Sequence, residues 1–270
     1  MKAQDLKFVV KEKYGEIASQ SKRQNQCSCC GSTDGSNQMD YTIFSDDYTK
    51  LAGYHPEADL GLGCGLPTQY AGIKAGQHIL DLGSGAGNDC FVARTIVGET
   101  GHVTGIDFTD AMLEKANKNL QKTGFKNIDF LKGDIEDIPL QDNRFDVVIS
   151  NCVLNLVPDK EKAFAEVYRV LKPGGHFCIS DVVLAGELPE KLKQAAEMYA
   201  GCVSGAIQKQ SYLAIIKEQG FIQVEVKKEK EIEIPHNILL NYMTQDELQD
   251  FKRRKIGIYS ITVNGIKKSV

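Results

Sequence analysis

The chain has 270 residues, 25% of them charged and 42% hydrophobic, and a formal net charge of −4. That length can bury a sizeable core, as one large or two modest domains, and the acidic balance argues against a nucleic-acid-binding surface. No apolar run approaches the roughly 18 residues of a membrane span, and the start, MKAQDLKFVVKEKYGEI, lacks the apolar core of a signal peptide, so a cytoplasmic protein with no membrane or nucleic-acid partner is expected.

Three zones follow one another. Residues 1–70 open with an amphipathic helix, and the polar stretch SQSKRQNQCSCCGSTDGSNQMD reads as a loop that packs no core of its own. It carries Cys27, Cys29 and Cys30, and Cys64 follows in the glycine-flanked turn LGLGCGLPT. Residues 71–184 alternate strand and helix signals: the strand QHILDLG, the helix NDCFVARTIVG, the strand GHVTGID, then the helix TDAMLEKANKNLQKTG with its glycine stop. NIDFLKG, RFDVVIS and HFCISDVV supply further strands, with DKEKAFAEVYRVLKPGG as the helix before the last. Strands spaced by such helices imply βαβ units and a mostly parallel sheet, an α/β fold of Rossmann-like type. Residues 185–270 add the helix patterns ELPEKLKQAAEMYAG and QKQSYLAIIKEQG. Two strand candidates close the chain, FIQVEVKKEKEIEI and GIYSITVNGIKK, the second with an Asn-Gly pair that predicts a hairpin turn.

The clearest motif is ILDLGSGAGND, residues 79–89, in which a strand runs into Asp81 and then Gly83, Gly85 and Gly87. Glycines let the backbone turn tightly and approach a ligand closely, as in dinucleotide enzymes. Asp81 and Asp89, however, are a poor setting for a pyrophosphate, which favours a helix N-terminus free of like charge. They suit a cationic amino-acid group. Asp107 ends the next strand, where a carboxylate can accept both hydroxyls of a ribose. A nucleoside with a positively charged amino-acid tail fits, and S-adenosylmethionine is such a molecule.

On these residues the chain resembles the Class I methyltransferase superfamily, whose Asp-x-Gly-x-Gly-x-Gly turn matches Asp81, Gly83, Gly85 and Gly87. The resemblance implies that Asp107 holds the ribose and that Asp134, in KGDIEDIPL, lies beside the adenine, with Ser84, Met112, Ile135 and Asn151 also at the cofactor. A fold does not name its substrate. Here the cysteines add a narrower resemblance. LGCGLPT, SNCVLNLVPDKEKAF and GCVSGAI together resemble the arsenite methyltransferase family across roughly residues 50–220. It implies that Cys64, Cys152 and Cys202 are the thiolates that bind trivalent arsenic. It further implies a redox partner for Cys64 among the N-terminal cysteines, Cys29 or Cys30 being favoured, restored by a thiol reductant such as thioredoxin or glutathione.

Chemistry fits that set. Trivalent arsenic is soft and prefers thiolates, and three of them leave its lone pair open as the nucleophile, so no general base is needed. In a reducing compartment free cysteines are more often catalytic, ligating or buried than disulfide-bonded. Cys90 and Cys178 fall in helix and strand patterns and are expected in the core. Two other readings compete: methylation of an organic acceptor such as a quinone- or sterol-like lipid, and a metalloid-binding protein without catalysis. The domain expectation is an N-terminal cysteine-bearing segment at 1–70, a cofactor-binding unit at 71–184, and a substrate-site and sheet-completing region at 185–270.

Overall fold

The structure, a computed structural model, describes residues 3–19, 46–186, 205–232, 240, 244–253 and 257–269. Cys27, Cys29, Cys30 and Cys202 lie outside them, as does the helix expected at ELPEKLKQAAEMYAG.

Among the described residues, seven strands form a single sheet: β1 His78–Leu82, β2 His102–Asp107, β3 Ile128–Lys132, β4 Phe145–Asn151, β5 Leu171–Ala185, β6 Phe221–Glu231 and β7 Gly257–Lys267. Their order is β3-β2-β1-β4-β5-β7-β6. β1 to β5 run parallel, and β7 enters antiparallel between β5 and β6. Among the described residues the helices are α1 Ala3–Ser19, α2 Pro67–Tyr70, α3 Asn88–Val97, α4 Asp110–Thr123, α5 Lys160–Val170, α6 Lys209–Glu218 and α7 Gln245–Arg253.

Alternation along the strands builds two cores, one on each face of the sheet. Leu80, Leu82 and Val148 pack with Phe164 and Val167 of α5 and Tyr212 and Ile216 of α6. Ile79, Val147, Ile149 and Cys178 pack on the other face with Phe91 and Val97 of α3, Met112 of α4 and Ile17 of α1. Helices stop where the sequence says: Gly98 and Gly124, both with positive φ, cap α3 and α4, and the Asp159 side chain accepts the Lys162 N–H to start α5.

Two expectations are corrected. The segment LKPGG belongs to the start of β5 rather than to the end of a helix, because Leu171 already pairs with Phe145 of β4. Its proline, at the outset of a strand, removes no interior ladder bond. The Asn-Gly pair of β7 makes no hairpin. Asn264 pairs with Cys178 on one side and Glu225 on the other, and the strand continues through Gly265 to Lys267. Glycine stands there because a Cβ at 265 would lie 2.6 Å from the Phe177 ring. Sheet pairing on both sides outweighs the local turn preference.

The order reverses at β1, which lies between β2 and β4. In open α/β sheets such a switch point opens a crevice at the carboxyl ends of the strands.

Candidate active site

The crevice is there. After Leu82 the chain passes through Gly83 to Gly87 before α3 begins, and Gly83 N and Ser84 N both donate to Ile106 O, at 2.8 and 2.9 Å. The turn is thereby pinned to β2. Gly85 has φ +51°, and a Cβ built on it would meet nothing within 4 Å. Left-handed backbone selects glycine, and the open space beside it leaves main chain bare to a ligand. Asp107, at the end of β2, accepts Gly85 N–H through Oδ2 at 3.0 Å and Thr109 N–H through Oδ1 at 2.8 Å. Burial pushes its carboxyl up, and those backbone donors hold it back.

All nine residues expected at the cofactor, Asp81, Gly83, Ser84, Gly85, Asp107, Met112, Asp134, Ile135 and Asn151, line one cavity. Further walls come from segments the motif did not reveal. α1 contributes Lys7, Val10 and Tyr14, and the 46–66 segment contributes Tyr48, Leu60 and Leu62. Lys7 Nζ lies 2.6 Å from Asp134 Oδ2 and also pairs with Glu136, so α1 is tied to the loop after β3.

At the β1 end of the cavity, carboxylates crowd together. Asp81 is buried and accepts the Cys90 thiol at 3.2 Å. Its carboxyl is pushed well up, first by burial and then by the neighbouring Asp89 and Asp107. Burial raises Asp89 to about 6, while hydrogen bonds from Tyr48 and Asn151 act the other way. Such a cluster costs free energy while ionised, and a cation placed among it would offset that cost. An ammonium and a sulfonium on one ligand fit these residues better than a pyrophosphate does.

The thiols stand at the β4 end. Cys152 follows β4 with φ +60°, uncommon for a residue with a side chain, and its N–H donates to Ser180 O at 2.7 Å. It lines the same cavity as the glycine turn. The sulfurs of Cys64 and Cys152 and a carboxylate oxygen of Asp181 all lie within 4.8 Å of one another, and all three residues are buried. Tyr212 OH donates to Asp181 Oδ2 at 3.0 Å, and burial raises the Asp181 carboxyl to about 7. Two cysteines 88 positions apart in sequence thus meet, one of them, Cys152, on the cavity wall. Cys90 and Cys178 do not join them: both are fully buried, and Cys178 donates to Pro67 O at 3.2 Å.

Asp181 and Tyr212 went unnoticed in the sequence. Asp181 sits in the strand run ISDVV, and a charged residue inside an otherwise apolar buried strand was the available signal. Nothing local marked Tyr212 or Tyr48.

The methyltransferase-domain family model matches residues 73–220, which holds β1 to β5, α6 and the whole glycine turn. An arsenite methyltransferase of Halobacterium salinarum is 40% identical over 240 residues, covering 84% of this chain and 60% of that protein. The crystal structure of an arsenic(III) S-adenosylmethionine methyltransferase from Chlamydomonas reinhardtii superposes with a TM-score of 0.65 at 37% identity, covering 76% of this chain and 68% of that one. A ubiquinone/menaquinone biosynthesis C-methyltransferase of Psychromonas ingrahamii is 37% identical over 131 residues, about half of each chain. The chain spans less than two thirds of the Halobacterium protein's length. With seven strands in this order, the glycine turn and the matching family model together, the chain belongs to the methyltransferase-domain family.

Proposed function

We propose that the protein methylates trivalent arsenic with S-adenosylmethionine, the metalloid being held by Cys64, Cys152 and Cys202. The observation that carries this reading is the meeting of the Cys64 and Cys152 sulfurs, with Cys152 on the wall of the cavity that Gly85, Asp107 and Asp134 also line. Asp107 would take the ribose hydroxyls, Asp134 and Ile135 the adenine side, and the acids around Asp81 the cationic amino-acid end. The cofactor supplies an electrophilic methyl group on a sulfonium.

The chain's own part is to bind, aim and keep dry. Trivalent arsenic exchanges its hydroxyls for thiols, each departing as water with the thiol's proton. Thiolates crowd one side of the metalloid and leave the lone pair facing the cavity. Attack then needs orientation and exclusion of water rather than a base. Met112, at 1% exposure, and the partly buried Leu62 and Val153 supply apolar wall. Alkylation of the lone pair takes arsenic formally from the trivalent to the pentavalent state. Two electrons from a cysteine pair, Cys64 with Cys29 or Cys30, return it and leave a disulfide for an external thiol reductant.

Incubating the protein with methyl-labelled cofactor, arsenite and a thiol tests the proposal. Labelled methylarsenicals are the expected product. Label transferred to a quinone and none to arsenic would replace arsenic with an organic acceptor, and arsenite binding with no transfer would reduce the protein to a metalloid binder.

A further inference from the structure

The family resemblance implies that Asn151 lies at the cofactor, yet its side chain spends its hydrogen bonds on the Cys64 turn. Asn151 Oδ1 accepts the N–H of Cys64 at 3.0 Å and of Gly65 at 3.2 Å, and Nδ2 donates to Gly65 O at 2.8 Å. One amide therefore satisfies three backbone groups of the turn that carries Cys64. Nδ2 also faces Tyr48 OH and lies 3.3 Å from Asp89 Oδ2. Tyr48 OH in turn donates to the same Asp89 oxygen at 2.8 Å.

The turn is fitted to this clamp. A Cβ on Gly63 would lie 2.5 Å from Asn151 Nδ2, and one on Gly65 would lie 2.5 Å from Ser180 Oγ. Glycine on both sides of Cys64 lets the turn close onto β4 and β5. Asn151 immediately precedes Cys152, whose own backbone is locked to Ser180. The residue that grips the Cys64 turn is thus covalently joined to the other thiol.

We infer that Asn151 is the positioning residue that sets the spacing of the Cys64 and Cys152 sulfurs, and so decides whether one arsenic atom can bridge them. This rests on the arsenic reading given above. Two thiols bind one arsenic together only if their sulfurs are held at a bridging distance; otherwise each must be brought there at the expense of ordering the turn.

The test uses a chain whose Cys27, Cys29, Cys30 and Cys202 are serine, leaving Cys64 and Cys152 as the pair whose sulfurs lie close together, and phenylarsine oxide as a probe that needs two neighbouring thiols. Failure of this parent to bind the probe would overturn the arsenic reading itself. Given binding, Asn151→Ala is expected to weaken probe affinity about tenfold or more, the scale of losing the three hydrogen bonds to the Cys64 turn. S-adenosylmethionine affinity should fall clearly less than probe affinity, because the glycine turn and Asp107 are untouched and Asp89 keeps its Tyr48 donor. Asn151→Asp keeps the acceptor toward Cys64 and Gly65 and loses the donor toward Gly65, so it should fall between the two and carries the test if the alanine variant does not fold. Probe affinity unchanged in either folded variant, or a parallel loss of cofactor and probe binding, would overturn the positioning role. Loss of cofactor binding alone would make Asn151 a cofactor ligand instead.

Discussion

Replacing the Cys152 sulfur by oxygen changes one atom and removes the donor that arsenic prefers. Cys152→Ser and Cys202→Ser are expected to abolish arsenite methylation and leave cofactor binding nearly intact. Cys64→Ser should lose arsenite methylation but keep some activity on methylarsenite, which has two valences left for thiols. Cys178→Ser should leave both reactions largely alone, since its thiol is spent on Pro67 O in the core. Paired assays with arsenite and methylarsenite on the four variants check this, and full arsenite activity in Cys152→Ser would refute the thiol reading. Asp107 offers an independent check. Charged hydrogen bonds to a ribose are worth about 1.5–3 kcal/mol, so Asp107→Ala should weaken S-adenosylmethionine by one to two decades in calorimetry. Unchanged affinity would remove Asp107 from the cofactor. Both thiols and this acid stand out as candidates in the sequence because each sits at a strand end or in a glycine turn. Asp181 was not, because its importance comes from Cys64 and Cys152 arriving beside it from distant parts of the chain.

Among the elements, local signals were followed wherever tertiary pairing agreed with them. α3 and α4 end at their glycines, α5 begins at its Asp159 cap, and β1, β2 and β4 match their apolar runs. The Asn-Gly of β7 is the instructive failure. A two-residue turn saves loop entropy locally, but a strand in the middle of β5 and β6 satisfies its backbone on both edges. Gly265→Ala tests that account. It leaves the turn-prone asparagine in place and adds a methyl 2.6 Å from the Phe177 ring. Overpacking of this kind costs about 1–3 kcal/mol, so chemical denaturation should show a lower midpoint with an unchanged slope. A variant as stable as the parent would mean that Gly265 is there for some reason other than close approach. α1 shows the opposite limit. Its amphipathic pattern announced a helix, yet nothing in it announced that Lys7 would reach Asp134 and Glu136 across the cavity. Which surface an amphipathic helix covers depends on the rest of the fold.

For the molecule as a whole, burying acids makes stability depend on pH in an unusual direction. Paired surface carboxylates usually hold lowered values and favour the folded state at neutral pH; the buried Asp81, Asp107 and Asp181 are all raised by burial. Asp181 gives the cleanest case, raised to about 7 against about 3.9 for a solvated aspartate. Between those values the folded chain holds a proton that the unfolded chain has released. The folded state's advantage from this group is therefore complete below about pH 4 and is lost as pH rises toward 7. A shift of that size corresponds to about 4 kcal/mol. Asp181→Asn cannot titrate, and its amide oxygen can still accept from Tyr212 OH. The stability of Asp181→Asn relative to the parent should accordingly rise between about pH 4 and pH 7, by up to about 4 kcal/mol, and level off above. Urea unfolding of both proteins across that range measures it. A difference that stays flat would show that Asp181 is ionised in the folded protein throughout, with its charge balanced by groups around the thiol pair.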